Sequence, residues 1–331
     1  MLNIAVIGLG DVSIVHLPAI QNNPNAKLVA ICDVDASKAS VADARFYTDY
    51  EVMLEEETID CVHICLPHYL HYPVAKVCAK KRVHVFLEKP LAHTLEAAQQ
   101  LATLEHTYPG VKLGICYQNR LNATSEHLYE IVKDGQYGRI LGMKGIVAWY
   151  RPAAYYAEKP WRSKMATAGG GVMINQAIHT IDLMQYLGGD IQSIKGTIDC
   201  LSDYAIEVED TATAKMNFKQ GFTGLFFSTI TNSRNASIEL EVIFEEATFT
   251  IKDSLLTQTN AQGKTTVLVE DETLPGTKSY YGASHEKLIH RFHTAIQDKT
   301  DHYIPVSEGV TAMKIIDAIR TSSASHQKVA F

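Results

Sequence analysis

The sequence predicts an α/β protein, with a doubly wound parallel sheet over residues 1–120 and a second region, 121–331, built on an antiparallel or mixed sheet. Three observations carry this. Short apolar runs alternate with polar, helix-length stretches as far as residue 116. The first of these runs ends in a glycine turn that opens a helix. From about residue 190 onward, apolar residues alternate singly with polar ones.

Residues 2–7, 27–32, 61–66, 83–87 and 111–116 are the apolar runs. Near-continuous apolar strands separated by helices belong to parallel sheets covered on both faces. A weaker strand is expected at 45–47, and residues 94–106 place apolar side chains at helical spacing. Six strands in this rhythm complete one doubly wound domain near residue 120. A helix at 123–133 and a strand at 140–149 follow. Residues 151–171 are rich in Tyr, Arg, Lys, Pro and Gly and show no clear periodicity. A long irregular segment inside a compact protein is usually functional. In 211–219 the residues Ala212, Ala214, Met216 and Phe218 alternate with polar partners, Gln220-Gly221 marks a hairpin, and 237–242 alternates through Ile238, Leu240 and Val242. Such one-sided alternation gives a sheet with one covered face. Helices near 285–297 and 307–321 close the chain.

The first strand runs into Gly8-Leu9-Gly10-Asp11-Val12-Ser13 and then a helix. This fits the dinucleotide fingerprint GxGxxG with a small Ser in the third position. Gly8 permits the tight turn, and Gly10 lets the backbone approach a pyrophosphate at the helix N-terminus. Glycine turns also join strands to helices without a ligand, so the context matters. Asp33 ends the second strand about 20 residues beyond the motif, where a carboxylate accepts from ribose hydroxyls. It would repel a 2′-phosphate, and no Lys or Arg follows before Lys38, so NAD is favoured over NADP. Asp33 and Asp35 can each also be read as turn residues capping the next helix.

Two further strand ends draw attention. The fourth strand leads into Leu66-Pro67-His68-Tyr69-Leu70-His71. His63, His68 and His71 lie close together, but no carboxylate or second Cys joins them at ligand spacing, so no metal is expected. The run 85–91 interrupts an apolar strand with Glu88 and Lys89 just before Pro90, which cannot donate to a sheet ladder. Two charges at the carboxyl end of a buried strand stand where open α/β sheets bind ligands, although solvated charges on a strand leaving the core read the same way locally. In the second half, Gly169-Gly170-Gly171 precedes a helix over 172–182, on which Asn175 and His179 lie one turn apart with Asp182 three further on. A lone His on an apolar helix is more often a hydrogen-bonded core residue than a base.

The composition is that of an ordinary globular protein, 46% apolar and 20% charged. A formal charge of −7 argues against a nucleic-acid partner. No apolar run approaches the roughly 18 residues of a membrane span, and the N-terminus enters a strand at once without signal-peptide character. Six scattered cysteines without a CxxC pair read as reduced, buried thiols of a cytoplasmic protein.

Taken in order, Gly8-Leu9-Gly10 with His16 and Pro18, Pro67 through His71, Glu88-Lys89-Pro90, Trp161-Arg162, and Gly169-Gly170-Gly171 with Asn175 and His179 resemble the glucose–fructose oxidoreductase/inositol dehydrogenase (Gfo/Idh/MocA) family. The resemblance runs nearly the length of the chain. It implies an N-terminal Rossmann domain, a C-terminal α/β domain on a large, mostly antiparallel open sheet, and assembly through that sheet into a homodimer or homotetramer. It also implies a catalytic Lys89 and an active-site His179. Gly8, Gly10, Asp11, Val12, Asp33, Leu66, Pro67, His71, Glu88, Lys89, Gln118, Trp161 and Arg162 are the implied cofactor contacts. The family motif usually carries Asp where this chain has Asn175, and an amide cannot relay a proton as a carboxylate can.

The implied reaction is hydride transfer between NAD and a secondary alcohol. His179 would take the hydroxyl proton and Lys89 would stabilise the developing alkoxide, while Asn175 would fix a substrate hydroxyl. Lys89, Tyr150, Arg151, Asn175 and His179 are the expected substrate contacts. Tyr155, Tyr156, Lys159, Trp161, Arg162 and Lys164 complete an aromatic and basic neighbourhood suited to a sugar, cyclitol or sugar derivative, including an anionic one. Loop packing with solvated charges accounts for the same residues. The competing functions are an NAD-retaining glycosidase or lyase of the same fold and a non-catalytic dinucleotide or sugar sensor.

Overall fold

The expected parallel sheet is present in the computed structural model, which describes residues 1–272 and 284–331. Strands β1 (Leu2–Ile7), β2 (Ala26–Cys32), β3 (Arg45–Tyr47), β4 (Cys61–Ile64), β5 (His84–Leu87) and β6 (Leu113–Ile115) pair in the order β3-β2-β1-β4-β5-β6, all parallel. Every residue of β4 is buried, as are Val85, Phe86 and Leu87 of β5. These strands are apolar without alternation because helices cover both faces. The strand order reverses between β1 and β4, so the ends of β1, β4 and β5 flank the point where such sheets bind ligands.

The chain forms two compact units, one from residues 1–118 and 284–310, the other from 119–272 and 311–331. The helix Ser284–Gln297 therefore belongs with the first unit, whereas the sequence grouping 121–331 placed it with the second. Its buried face, Leu288, Ile289 and Phe292, packs on the parallel sheet. The Phe292 ring lies over Gly114 of β6, where an added Cβ would sit 2.7 Å from the ring. Burying one Phe contributes roughly 1.5–3 kcal/mol, so a side chain at 114 would displace one of the unit's anchors. Amphipathic spacing reveals that a helix has a covered face but not which sheet covers it.

The second unit is built on nine strands. β7 (Ile140–Ala148), β8 (Ile191–Asp199), β9 (Thr211–Phe218), β10 (Thr223–Thr229), β11 (Glu239–Phe244), β12 (Ala247–Lys252), β13 (Leu255–Asn260), β14 (Thr265–Glu270) and β15 (Val329–Ala330) pair in the order β14-β13-β12-β11-β7-β10-β9-β8-β15. Among the described residues of this sheet, only β7 and β10 pair in parallel; the other pairs are antiparallel. The Gln220-Gly221 hairpin joins β9 to β10, with Gly221 at a φ of 94°. In β9, Ala212, Ala214, Met216 and Phe218 point into the core. The helix Ile178–Gly188 packs on this covered face against β7, with Thr180 and Met184 at Gly145.

Four local expectations are corrected. The helix over 94–106 is two helices, Leu95–Ala102 and Leu104–Thr107, broken where the Thr103 hydroxyl donates back to the Gln100 carbonyl. Residues 151–171 contain three short helical turns, Ala153–Ala157, Pro160–Ser163 and Met165–Ala168. The helix over 172–182 is interrupted after Val172–Asn175, because the N–H groups of Gln176 and Ala177 both return to the Val172 carbonyl before Ile178–Gly188 begins. Cys200 is exposed just beyond β8, while the other five thiols are buried. Among the described residues, no helix is long and apolar enough to cross a membrane.

Candidate active site

In the first unit the glycine turn leaves β1 and enters the helix Ser13–Gln21. Gly8 has a φ of 94°, and a Cβ there would lie 2.6 Å from the Cys65 carbonyl oxygen at the end of β4, so only glycine fits. A Cβ on Gly10 would meet nothing within 4 Å. That open space, exposed at the start of a helix, fits a pyrophosphate group of a dinucleotide. Asp11 is exposed and Val12 half-buried beside it. Ser13 is buried and its hydroxyl donates to the Gly10 carbonyl at 2.7 Å, so the third position supports the turn as well as the packing.

Asp33 braces the same turn. Its carboxylate accepts from the Leu9 N–H at 2.7 Å and from the Asp35 N–H at 2.9 Å, leaving lone pairs for ribose hydroxyls. The capping role falls to Asp35, whose carboxylate accepts from the Ser37 N–H.

At the end of β4, Leu66 and Pro67 are half-buried, while His71 is fully buried. The His71 ring spans the Leu66 and Pro90 carbonyls at 2.8 and 2.7 Å, which ties the exit of β4 to the turn after β5. Burial lowers its pKa, opposed by those two hydrogen bonds. Gln118 is buried beside Cys116, whose thiol donates to the Gln118 side-chain oxygen.

At the end of β5, Glu88 is buried, and Lys89 is half-buried and joined to Pro90 through a cis peptide bond. Glu88 Oε1 accepts from His16 Nε2 at 2.9 Å, and Oε2 accepts from the Lys89 backbone N–H at 3.2 Å. Burial alone would raise the Glu88 carboxyl. The hydrogen bond from His16, with the nearby His285 and Lys89, instead holds it well below the ordinary carboxylate range. Glu88, unassigned by spacing, is thus a fixed buried anion whose neighbour on the chain is Lys89.

In the second unit two of the three glycines, Gly170 and Gly171, are closely packed. A Cβ on Gly170 would collide with Arg320, and one on Gly171 with the Glu209 backbone, while the Val172 N–H donates to the Glu209 carbonyl at 2.9 Å. The turn is packed against the protein and sets where the helix Val172–Asn175 starts. Asn175 and His179 are half-buried and lie on either side of the helix break. The Asn175 amide donates to the Tyr155 hydroxyl at 3.0 Å, and Gln176 reaches the same oxygen at 3.2 Å. Arg162 lies 4.2 Å from the Tyr155 ring centroid and 5.7 Å from that of Trp161; Arg151 lies 4.9 Å from Trp149 and 5.6 Å from Tyr155. The structure therefore gathers Arg151, Tyr155, Arg162 and Asn175 into one cluster. Tyr150 is 43% exposed at an isolated bridge to Thr231, and the Arg151 guanidinium donates to its carbonyl.

Sequence reasoning missed the partner of Asp182. Its carboxylate accepts from Arg120 Nε at 2.8 Å and Nη2 at 2.7 Å, a buried bidentate pair 62 residues apart. It also missed two groups of buried potential ligand atoms, Cys61 with His63 and His293, and Glu88 with Cys116 and His285. In the first group, His63 Nε2 and His293 Nε2 are joined at 2.9 Å, and burial raises the Cys61 thiol, which disfavours the thiolate a metal would take.

A parallel six-stranded sheet with a glycine turn after its first strand and a carboxylate ending its second is the architecture of a dinucleotide-binding domain. The family profile described as "Oxidoreductase family, NAD-binding Rossmann fold" matches residues 2–113, and the profile of the GFO/IDH/MocA C-terminal domain matches residues 126–250. The chain belongs to the Gfo/Idh/MocA family of NAD-binding oxidoreductases and is an enzyme of the dehydrogenase type. It is 26% identical over 334 residues to the uncharacterized oxidoreductase YrbE of Bacillus subtilis, covering 96% of this chain and 93% of that protein. It is 27% identical over 245 residues to myo-inositol 2-dehydrogenase of Thermotoga maritima, covering 71% and 69%. The fold matches that of the WlbA dehydrogenase of Bordetella pertussis, solved with NADH and UDP-GlcNAcA, with a TM-score of 0.87 at 24% identity over 100% of this chain and 98% of that one.

Proposed function

We propose that the protein oxidises a secondary alcohol of a sugar, cyclitol or sugar derivative, or reduces the corresponding ketone, with NAD as hydride carrier. The observation that supports this most is Lys89, placed at the carboxyl end of β5 and anchored through its backbone to a buried anion, in the same sheet as the Gly8–Gly10 turn and Asp33.

NAD, when bound, supplies the hydride acceptor. The Gly8–Ser13 turn and helix N-terminus would hold its pyrophosphate, and Asp33 would hold a ribose. Leu66, Pro67, His71 and Gln118 would shape the nicotinamide end, and His71 also ties the exit of β4 to the turn after β5. The Lys89 ammonium stabilises the alkoxide as the carbinol hydrogen leaves. His179 takes the hydroxyl proton and returns it to solvent. Asn175, fixed by Tyr155, orients a neighbouring hydroxyl without adding charge. Trp161 and Arg162 are assigned to the cofactor, and Tyr150 and Arg151 to the substrate. The named dehydrogenases among the relatives do not favour the glycosidase, lyase or sensor readings. Residues 1–120 form the NAD-binding domain in this reading, with the helix Ser284–Gln297 added, and the second unit binds substrate. Homodimer or homotetramer assembly uses the outer sheet face, where Leu141, Leu225, Phe227 and Ile243 are exposed. The protein works in the cytoplasm.

Purified protein given NAD and a panel of cyclitols, sugars and nucleotide sugars is expected to produce NADH with at least one of them. Inactivity with every member would overturn the substrate class. Asp33→Asn keeps an acceptor for the Leu9 N–H but removes the charge. It is expected to weaken NAD binding by roughly tenfold, the size of a lost charge-assisted hydrogen bond, and to narrow the preference over NADP. Calorimetric titration with both cofactors measures this, and an unchanged ratio of affinities would remove Asp33 from the ribose.

A further inference from the structure

Three histidines far apart in sequence form one buried hydrogen-bonded chain inside the first unit. His293 Nε2 meets His63 Nε2 at 2.9 Å, His63 Nδ1 meets His16 Nδ1 at 2.9 Å, and His16 Nε2 meets Glu88 Oε1 at 2.9 Å. All three imidazoles are buried, with no exposed area. At the far end Asn23 Nδ2 meets His293 Nδ1 at 3.1 Å.

Its direction can be derived. The Asn25 N–H donates to Asn23 Oδ1 at 2.9 Å, which fixes the amide and turns its NH2 group toward His293. His293 Nδ1 must then accept, so its proton sits on Nε2 and is donated to His63 Nε2. His63 in turn carries its proton on Nδ1 and donates to His16 Nδ1. His16 carries its proton on Nε2 and donates to Glu88. Every imidazole is neutral, and each is fixed in one tautomer. Burial lowers the His63 pKa well below its ordinary value, and burial is the largest cause that lowers that of His293 to about 3. Both directions agree with neutral rings.

We propose that Asn23, His293, His63 and His16 act as a rigid strut that positions Glu88 and, through Glu88 Oε2 and the Lys89 backbone N–H, sets the place of Lys89. They are positioning residues, not a proton conduit. The chain ends at an amide, which cannot take up or release a proton, and its carbonyl oxygen is already engaged by the backbone. The strut spans from the loop after the helix Ser13–Gln21, through the helix Ser284–Gln297 and β4, to the end of β5. Other titratable groups face it. Cys61 lies beside His63 and His293, and His290 is on the same helix as His293. Around Glu88 stand His285, with Nε2 at 3.9 Å, and the thiols of Cys65 and Cys116, both raised by burial; His71 is the next imidazole.

A strut and a conduit separate at His63. Glutamine there can donate through its NH2 group to His16 and accept through its oxygen from His293, which keeps the direction but cannot pass a proton. Phenylalanine fills the space and breaks both bonds. If the strut holds, His63→Gln retains kcat within about threefold. His63→Phe loses roughly ten- to a hundredfold in kcat, the scale on which small misplacements of a catalytic group act, with the affinity for NAD little changed. Equal loss in both variants, or no loss in His63→Phe, would overturn the positioning role. This kinetic arm rests on Lys89 acting as proposed above. The second arm does not: imidazole nitrogen NMR of the native protein near neutral pH should show His16 and His293 protonated at Nε2 and His63 at Nδ1, all neutral. An imidazolium or an opposite tautomer at any of the three overturns the strut, and that spectrum decides alone should His63→Phe not fold.

Discussion

Replacing Lys89 by Ala is expected to lower turnover by about 10²–10³-fold, the loss seen when one preorganised donor to a developing oxyanion is removed, while NAD still binds. The separation of the two effects follows from the structure. The dinucleotide contacts assigned to Gly8, Gly10 and Asp33 lie at the ends of β1 and β2, and none uses the Lys89 side chain. The backbone N–H that Glu88 Oε2 accepts from survives the substitution, so the turn after β5 should keep its place. Lys89→Met, which retains most of the apolar stem, is expected to lose as much activity as Lys89→Ala, because the charge matters rather than the packing. Steady-state kinetics with an active polyol and a fluorescence titration of NAD measure both. Unchanged turnover in either variant would remove Lys89 from the chemistry.

The largest loss of stability is expected at Asp182. Its carboxylate and the Arg120 guanidinium are both almost completely buried, and the guanidinium lies 4.5 Å from the Tyr186 ring centroid. Tyr186 is itself stacked on Tyr129 at 4.6 Å. Removing one partner strands the other charge in the core, which costs about 3–5 kcal/mol. Asp182→Ala should therefore shift the denaturant midpoint sharply downward. The double variant Arg120→Met with Asp182→Leu should recover most of that loss, since apolar replacement of a buried pair is often neutral. Unfolding curves for the single and double variants test this, and a single-variant loss below about 1 kcal/mol would contradict the account. Because Asp182 and His179 share the helix Ile178–Gly188, the pair also anchors the helix that carries the proposed base.

The parallel sheet was legible because its strands are buried on both faces. Every position of β4 is covered, and such a run leaves no other reading once helices flank it. The glycine turn and Asp33 were legible because their spacing follows from the geometry of a strand, a turn and a helix N-terminus. What stayed hidden depends on partners remote in sequence. His63 was visible as a strand residue, but its neighbours lie 47 and 230 residues away. Asp182 looked like a third member of the Asn175–His179 face, whereas its charge is spent on Arg120. The close packing of Gly170 and Gly171 before Val172 was also hidden, because Arg320 and Glu209, which meet them, carry no spacing signal. The break after Asn175 was equally silent, since no Pro or Gly marks it and apolar spacing continues through it.

In the proposed reaction a carbinol hydrogen passes as hydride from the substrate to NAD. A single turnover with a polyol deuterated at the oxidised carbon, followed by mass spectrometry of cofactor and product, tests it most directly. One deuterium on the nicotinamide ring of NADH is expected for each ketone formed. Consumption of the sugar by hydrolysis or elimination with no net NADH, or NADH without deuterium, would contradict it.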